Sequence, residues 1–250
     1  MEAEIKIPTE LSEISLGAYQ RFLEVSDNTN DDTFLFEKMV EVFCDIKLME
    51  VIQIKWSDVQ YIVQKITTAF QQKPEFKQTF KINEHEFGFI PNLEIMSFGE
   101  FIDLQNNIEK PENLHKMMAV LYRPIIEKKK DKYIIEQYES SEKYAELMKH
   151  VSCDIALAAK VFFCNLQKEL LKSTLIYLTK ILREKKGQES FHKEFSLQNN
   201  GVSIVQFMGS LKETFTDLEK QQGCPYMTAL PSSLLRNKKQ ILKVVRSIDN

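Results

Sequence analysis

Between Gln71 and Pro91 the apolar residues change period. Upstream, Val59, Ile62, Val63 and Ile66 recur at helical spacing. Past Pro74 the pattern in FKQTFKINEHEFGFIP moves to a period of two, with Phe76, Phe80 and Ile82 followed by Phe87 and Phe89. A helix scatters a two-residue pattern around its circumference, whereas a strand gathers it on one face. The chain therefore has to join helices to a sheet. The spacing predicts a β-hairpin near residues 76–91 with a polar turn from Asn83 to Glu86. Gly88 leaves room there for a close neighbour or a bulge, and Pro91 ends the pairing.

Around this switch the pattern is helical. SLGAYQRFLEV places Leu16, Tyr19, Phe22 and Leu23 on one face with Ser15 as the cap, and SDNTNDD follows as a loop. A second helix from Thr33 carries Phe34, Phe36, Met39, Val40 and Phe43, with Asp31 and Asp32 at its positive end. A third is expected to begin at Ser57, boxed with Gln60, and to stop before Pro74. Ser97 and Glu100 have capping-box spacing, so Phe98, Phe101 and Ile102 should open a short helix. HKMMAVLYRPII reads as a helix that Pro124 ends or kinks. After the charged turn EKKKD, KYIIEQY reads as a strand. From Ser140 and Ser141 to about Leu182, the stripe Val151, Ile155, Ala159, Phe162, Phe163, Leu166, Leu170 and Ile176 predicts the core, divided over two helices. The opening EIKIP suits a short edge strand or an extended arm whose backbone is free to pair with another chain.

The expected class is thus α+β, predominantly α-helical, with a small antiparallel sheet. The principal domain runs over residues 1–183, and a polar loop with a helical C-terminal extension occupies 184–250. The low content of 7 Gly and 7 Pro in 250 residues argues against a many-turned sandwich or barrel. A net charge of −3 gives no global pull toward nucleic acid or acidic membranes, so such a contact has to be local. The local candidate is the tail, where Arg236, Lys238, Lys239, Lys243 and Arg246 meet no acid before Asp249; they suit an anionic partner, or simply a solvated helix face. Cys44, Cys153, Cys164 and Cys224 form no C-x-x-C pair and fit reduced thiols. MEAEIKIPTEL lacks the regions of a signal peptide, and IALAAKVFFCNL is too short to span a bilayer, so cytoplasmic synthesis and no membrane contact are expected.

Chemistry-bearing clusters are sparse. His85, His115, His150 and His192 form no H-E-x-x-H, and His150 with Cys153 is a ligand-like pair lacking companions. Glu84, His85 and Glu86 could serve a metal-dependent hydrolase or nuclease, but a solvated hairpin turn explains them as well. No nucleophile elbow, P-loop or dinucleotide fingerprint occurs, so neither catalysis nor a cofactor is expected.

IPTELSEISLGAYQRFLEV, the Trp56-to-Asp58 helix entry, FGFIPNLEIMSFGEFIDL, and HKMMAVLYRPI followed by YIIEQY occur in that order between about Ile7 and Phe163. In that order they resemble a family of virion proteins from crAss-like and related tailed bacteriophages. The resemblance implies a non-enzymatic structural protein: a ring-forming head-to-tail connector or tail-barrel component, or alternatively an assembly chaperone absent from the mature particle. It implies contacts with other copies of itself and with portal, connector or tail proteins, and incidental DNA contact in a channel. It transfers no catalytic residue. The structural or interface candidates within the matching stretches are Phe87, Gly88, Phe89, Pro91, Phe98, Gly99, Tyr122, Arg123 and Pro124.

Overall fold

The computed structural model describes residues 5–184 except 28, 30, 94, 95, 109 and 131. The C-terminal extension expected over 184–250 lies outside the described residues from 185 onward, and with it His192, Cys224 and the basic residues Arg236, Lys238, Lys239, Lys243 and Arg246. The fold is α+β: eight helices and a four-stranded antiparallel sheet are described. The described chain forms two compact units divided after Lys160, and the division falls inside the last helix, α8 (Cys153–Glu184). The first unit holds every other element.

The helical half is built on caps and aromatic packing. In α1 (Leu16–Ser26) the Ser15 hydroxyl accepts from Ala18 N–H at 3.2 Å, and Leu16, Tyr19 and Phe22 are buried. Asp31 caps α2 (Asp32–Cys44) by accepting from Thr33 N–H and Phe34 N–H. The short α3 (Leu48–Val51) leads to α4 (Trp56–Ala69), which buries Val59, Ile62, Val63 and Ile66. Phe22, Phe43, Phe70 and Tyr19 interlock, with ring centroids 5.1 to 5.7 Å apart. Tilted aromatic pairs of this kind add to the stabilisation given by burial. Two expectations need correcting here. Ser57 does not cap: α4 starts one residue earlier, and the Ser57 hydroxyl donates to its neighbour Asp58 instead. Of the two forms open to EIKIP, the edge strand is absent at the described residues 5–8; Pro8 is buried, and the next residue, Thr9, is held by Glu13 and Gln72.

The start of α1 is tied to a distant part of the chain. α7 (Ala145–Met148) ends in a turn whose Lys149 and Val151 carbonyls accept from Gly17 N–H and Leu16 N–H at 2.8 and 2.7 Å. Ile14 O in turn accepts from Cys153 N–H at 2.7 Å. Helix ends leave N–H groups without partners, and here each of these finds a carbonyl from the other element.

The sheet runs in the order β1 (Thr79–Ile82), β2 (His85–Phe89), β3 (Tyr122–Lys129), β4 (Lys132–Ile135), each antiparallel to its neighbour. The predicted hairpin is present, with a tighter turn. Ile82 pairs with His85, leaving a two-residue loop at Asn83, whose φ of 53° is one that asparagine tolerates. Phe80, Phe87, Phe89 and Tyr122 pack on one face, with ring centroids 4.8 to 5.7 Å apart.

Helix α6 (Leu114–Leu121) stops earlier than expected. Tyr122, Arg123 and Pro124 belong to β3, not to the end of a helix. Proline in an inner strand removes a ladder donor. The phase of the ladder explains why it is tolerated. Ile90 N–H donates to Leu121 O, so alternate positions of β3 face β2, and Pro124 turns its nitrogen toward β4. There the pairing is just ending: Glu136 N–H donates to Pro124 O, and only the return bond is missing.

Gly88 is a space requirement. A Cβ built there would stand 2.8 Å from Tyr133 Cδ2 and 3.1 Å from Ile125 Cγ1, with Tyr133 Cε2 closer still. The Tyr133 hydroxyl meanwhile donates to Phe89 O at 2.8 Å, which holds the ring over the glycine. Gly88→Val should therefore lower stability by about 1–3 kcal/mol in thermal or urea denaturation. Adding Tyr133→Ala should recover part of that loss; a Gly88→Val protein as stable as wild type would mean that the ring moves aside freely.

Candidate functional site

Helix α5 (Phe98–Ile108) opens with the capping box that the sequence predicts. Ser97 N–H donates to Glu100 Oε2 at 2.6 Å, and Glu100 N–H donates to the Ser97 hydroxyl at 3.2 Å. The box leaves Glu100 with one oxygen to spare, and that oxygen, Oε1, meets Arg123 Nη2 at 2.6 Å. Both side chains are nearly dry, at 6 and 9% exposure. Arg123 sits opposite Gly88 on β3, so the ion pair joins α5 to an inner strand.

A second polar contact runs beside the first. The guanidinium carbon of Arg123 lies 5.6 Å from the centre of the Tyr138 ring, a cation–π distance, and the Tyr138 hydroxyl donates to Asp103 Oδ2. Burial, followed by that bond to Asp103, pushes the Tyr138 phenol well above its ordinary range, so it stays a donor. Asn107 Nδ2 donates to Asp103 O at 2.6 Å. Arg123 Nε is buried with no hydrogen-bond partner among the described residues.

The outer side of α5 is the consequence. Both of its acids are engaged by this network, which leaves Phe98, Gly99, Phe101, Ile102, Gln105 and Asn106 as its exposed residues. Phe98, Phe101 and Ile102 are 80, 45 and 40% exposed at i, i+3 and i+4 spacing, and none of the six is charged. No described heavy atom comes within 4 Å of where a Gly99 Cβ would stand. A run of large apolar side chains on one helix face, free of charge in a chain that is 28% charged, makes this face the candidate contact surface. A second apolar patch lies on α3 and α4, where Met49, Ile52, Trp56 and Tyr61 are exposed among Glu50, Lys55, Asp58 and Lys65.

The remaining candidates separate. Phe87, Phe89 and Tyr122 are core residues, Arg123 is half of the ion pair, Pro124 is half-buried in β3, and Gly88 lies under Tyr133. Of the nine, Pro91, Phe98 and Gly99 reach the surface. Glu84 and His85 are exposed, and Glu86 pairs with Lys128. His150 is exposed whereas Cys153 is fully buried, and burial raises that thiol's pKa. His115 is buried against Gln20, and burial, with Lys149 adding to it, lowers its pKa. Among the described residues no group of three or more His, Cys, Asp or Glu is placed to hold a metal ion, and no helix is long and apolar enough to cross a membrane. An open cleft of 440 Å³ beside the Asn83 turn is lined by Phe80, Lys81, Ile82, His150 and Ser152 among others. No protein family, curated protein or solved structure matches this chain.

Sequence reasoning found the Ser97–Glu100 box and missed its second use. The signal was present in that a box pins Glu100 in the first turn, but its partner Arg123 is brought in by the sheet. Removing one member of a buried ion pair leaves the other charge uncompensated. Glu100→Gln keeps the cap and strands Arg123, so urea denaturation should show a loss of about 3 kcal/mol. Combining it with Arg123→Met should restore most of the stability; equal losses in the single and double variants would remove the ion pair from this account.

Proposed function

We propose that this chain is a structural protein of a tailed-bacteriophage particle, a ring-forming connector or tail component that works through contacts between its own copies. The observation that carries the reading is the outer face of α5, where three large apolar side chains stand exposed while both acids of the helix, Glu100 and Asp103, are engaged by Arg123 and Tyr138. Two apolar patches support a head-to-tail arrangement, because a ring needs two different surfaces on each subunit. α5 packs on α6, while α3 and α4 pack on α2, so the two patches belong to different helix pairs. Gly99 suits the arrangement by letting a neighbouring backbone come close beside Phe98. The order of the motifs between Ile7 and Phe163 supplies the phage context of the proposal.

Two measurements test it. In light scattering coupled to size exclusion, the wild-type chain should run as an oligomer, and Phe98→Glu with Phe101→Glu should reduce it to one chain without changing its circular dichroism. In gradient-purified particles, quantitative mass spectrometry should find many copies per virion. A monomeric wild-type chain would defeat the self-assembly reading. Abundance in lysate with absence from particles would instead favour a chaperone.

A further inference from the structure

One nitrogen of Gln20 joins three parts of the first unit. From α1, Gln20 Nε2 donates to Glu112 O at 2.7 Å and to Pro111 O at 3.1 Å, both in the short 3-10 turn Pro111–Asn113, which follows α5. The same nitrogen lies 3.0 Å from Nδ1 of His115, in the first turn of α6. An amide nitrogen carries two hydrogens and offers no lone pair. Turning the amide over would set Oε1 against two carbonyl oxygens, so the nitrogen stays where it is. Oε1 is left buried without a partner among the described residues, and the side chain is therefore held by its nitrogen alone.

The arrangement dictates the state of the ring. Facing a donor, His115 Nδ1 has to present its lone pair, so the imidazole is neutral with its hydrogen on Nε2. A proton taken from solvent onto Nδ1 would set one N–H against another. Gln20 has no orientation that satisfies a protonated ring and both carbonyls together.

The surroundings also disfavour the cation. The ring is 7% exposed and sits at the positive end of α6. Around it, Lys149 is paired with Glu146 at 2.8 Å and Lys116 with Glu142 at 2.6 Å, so each acid arrives with a cation of its own. The connecting turn adds the exposed Glu112, and α1 adds Glu24, one helical turn beyond Gln20. On α5, Glu100 and Asp103 are engaged by Arg123 and Tyr138. Burial, followed by Lys149, outweighs the acids and holds the His115 pKa below its ordinary 6.5.

We propose that the Gln20–His115 contact is an acid-sensitive latch: protonation of His115 turns Gln20 away and frees the Pro111–Asn113 turn from α1. Because that turn follows α5, the latch sets how firmly the end of that helix is tied to α1. The inference concerns a single chain and does not depend on the virion reading.

The sign of the pH dependence follows from the direction of the shift. A histidine whose pKa is lowered on folding binds more protons in the unfolded chain. The stability that depends on His115 is thus complete above about pH 6.5 and is lost as the pH falls below it.

Two measurements on the full chain test the latch. In proton–nitrogen NMR spectra at about pH 7.5, His115 should be the Nε2–H tautomer. Its protonation should have a midpoint below 6.5 and should move the Gln20 side-chain amide and the Glu112 and Asn113 backbone amides with that same midpoint. In urea denaturation, the wild-type folding constant should fall between about pH 7.5 and about pH 5.5 at least about threefold more than that of His115→Asn. The asparagine oxygen stands in for Nδ1 as an acceptor and does not titrate. Equal acid losses in the two proteins overturn the proposal, as does a His115 midpoint at or above 6.5. Protonation that leaves the Gln20 amide signals unmoved overturns it as well, and this outcome is read on wild type, so it stands even where the asparagine variant fails to fold.

Discussion

The Arg123 guanidinium is a buried charge in an inner strand, and much of the surrounding structure is arranged to keep it company. Taking an ion of this kind out of water costs several kcal/mol even after the protein relaxes. Glu100 supplies the opposite charge, Tyr138 supplies an aromatic face, and Asp103 holds Tyr138 in place. A leucine at this position would fill the space without demanding partners. The ion pair instead fixes which turn of α5 meets β3, since a guanidinium and a carboxylate must meet at hydrogen-bonding distance whereas apolar surfaces slide. Register, more than raw stability, is what such a pair supplies.

The same arrangement divides α5 into two chemically different sides. An exposed helix in a water-soluble fold normally keeps its acids outside and its phenylalanines inside. In α5 the acids are drawn into the network, and Phe98, Phe101 and Ile102 are turned out. The inversion is local: α1, α2 and α4 bury their apolar stripes in the usual way. The buried ion pair thus stands directly behind the one helix of the described fold whose phenylalanines are turned outward.

Local signals in the sequence were legible and nonlocal ones were not. Ser15 and the Ser97–Glu100 box marked the starts of α1 and α5, because a cap needs only neighbours three residues away, and the Asp31–Asp32 pair marked the start of α2 to within one residue of the expected Thr33. The change of period after Pro74 located the β1–β2 hairpin for the same reason. Ser57 misled because its spacing to Gln60 satisfies a box on paper while Trp56 already lies in the helix. Pro124 misled because proline ends helices locally, whereas its place in β3 depends on where β4 stops pairing. The α5 face was half legible: its three apolar residues were assigned to a helix, but their direction depends on Arg123, which only the sheet brings near.

The tie between the start of α1 and the turn after α7 bears on how the described fold is closed. Leu16, Gly17 and Ile14 close their backbone bonds with residues 149–153, more than 130 positions along the chain. Closing so long a loop is entropically costly and comes late. The start of α1 and residues 149–153 are therefore one backbone-bonded seam, so that neither side can loosen without leaving N–H groups of the other unpaired.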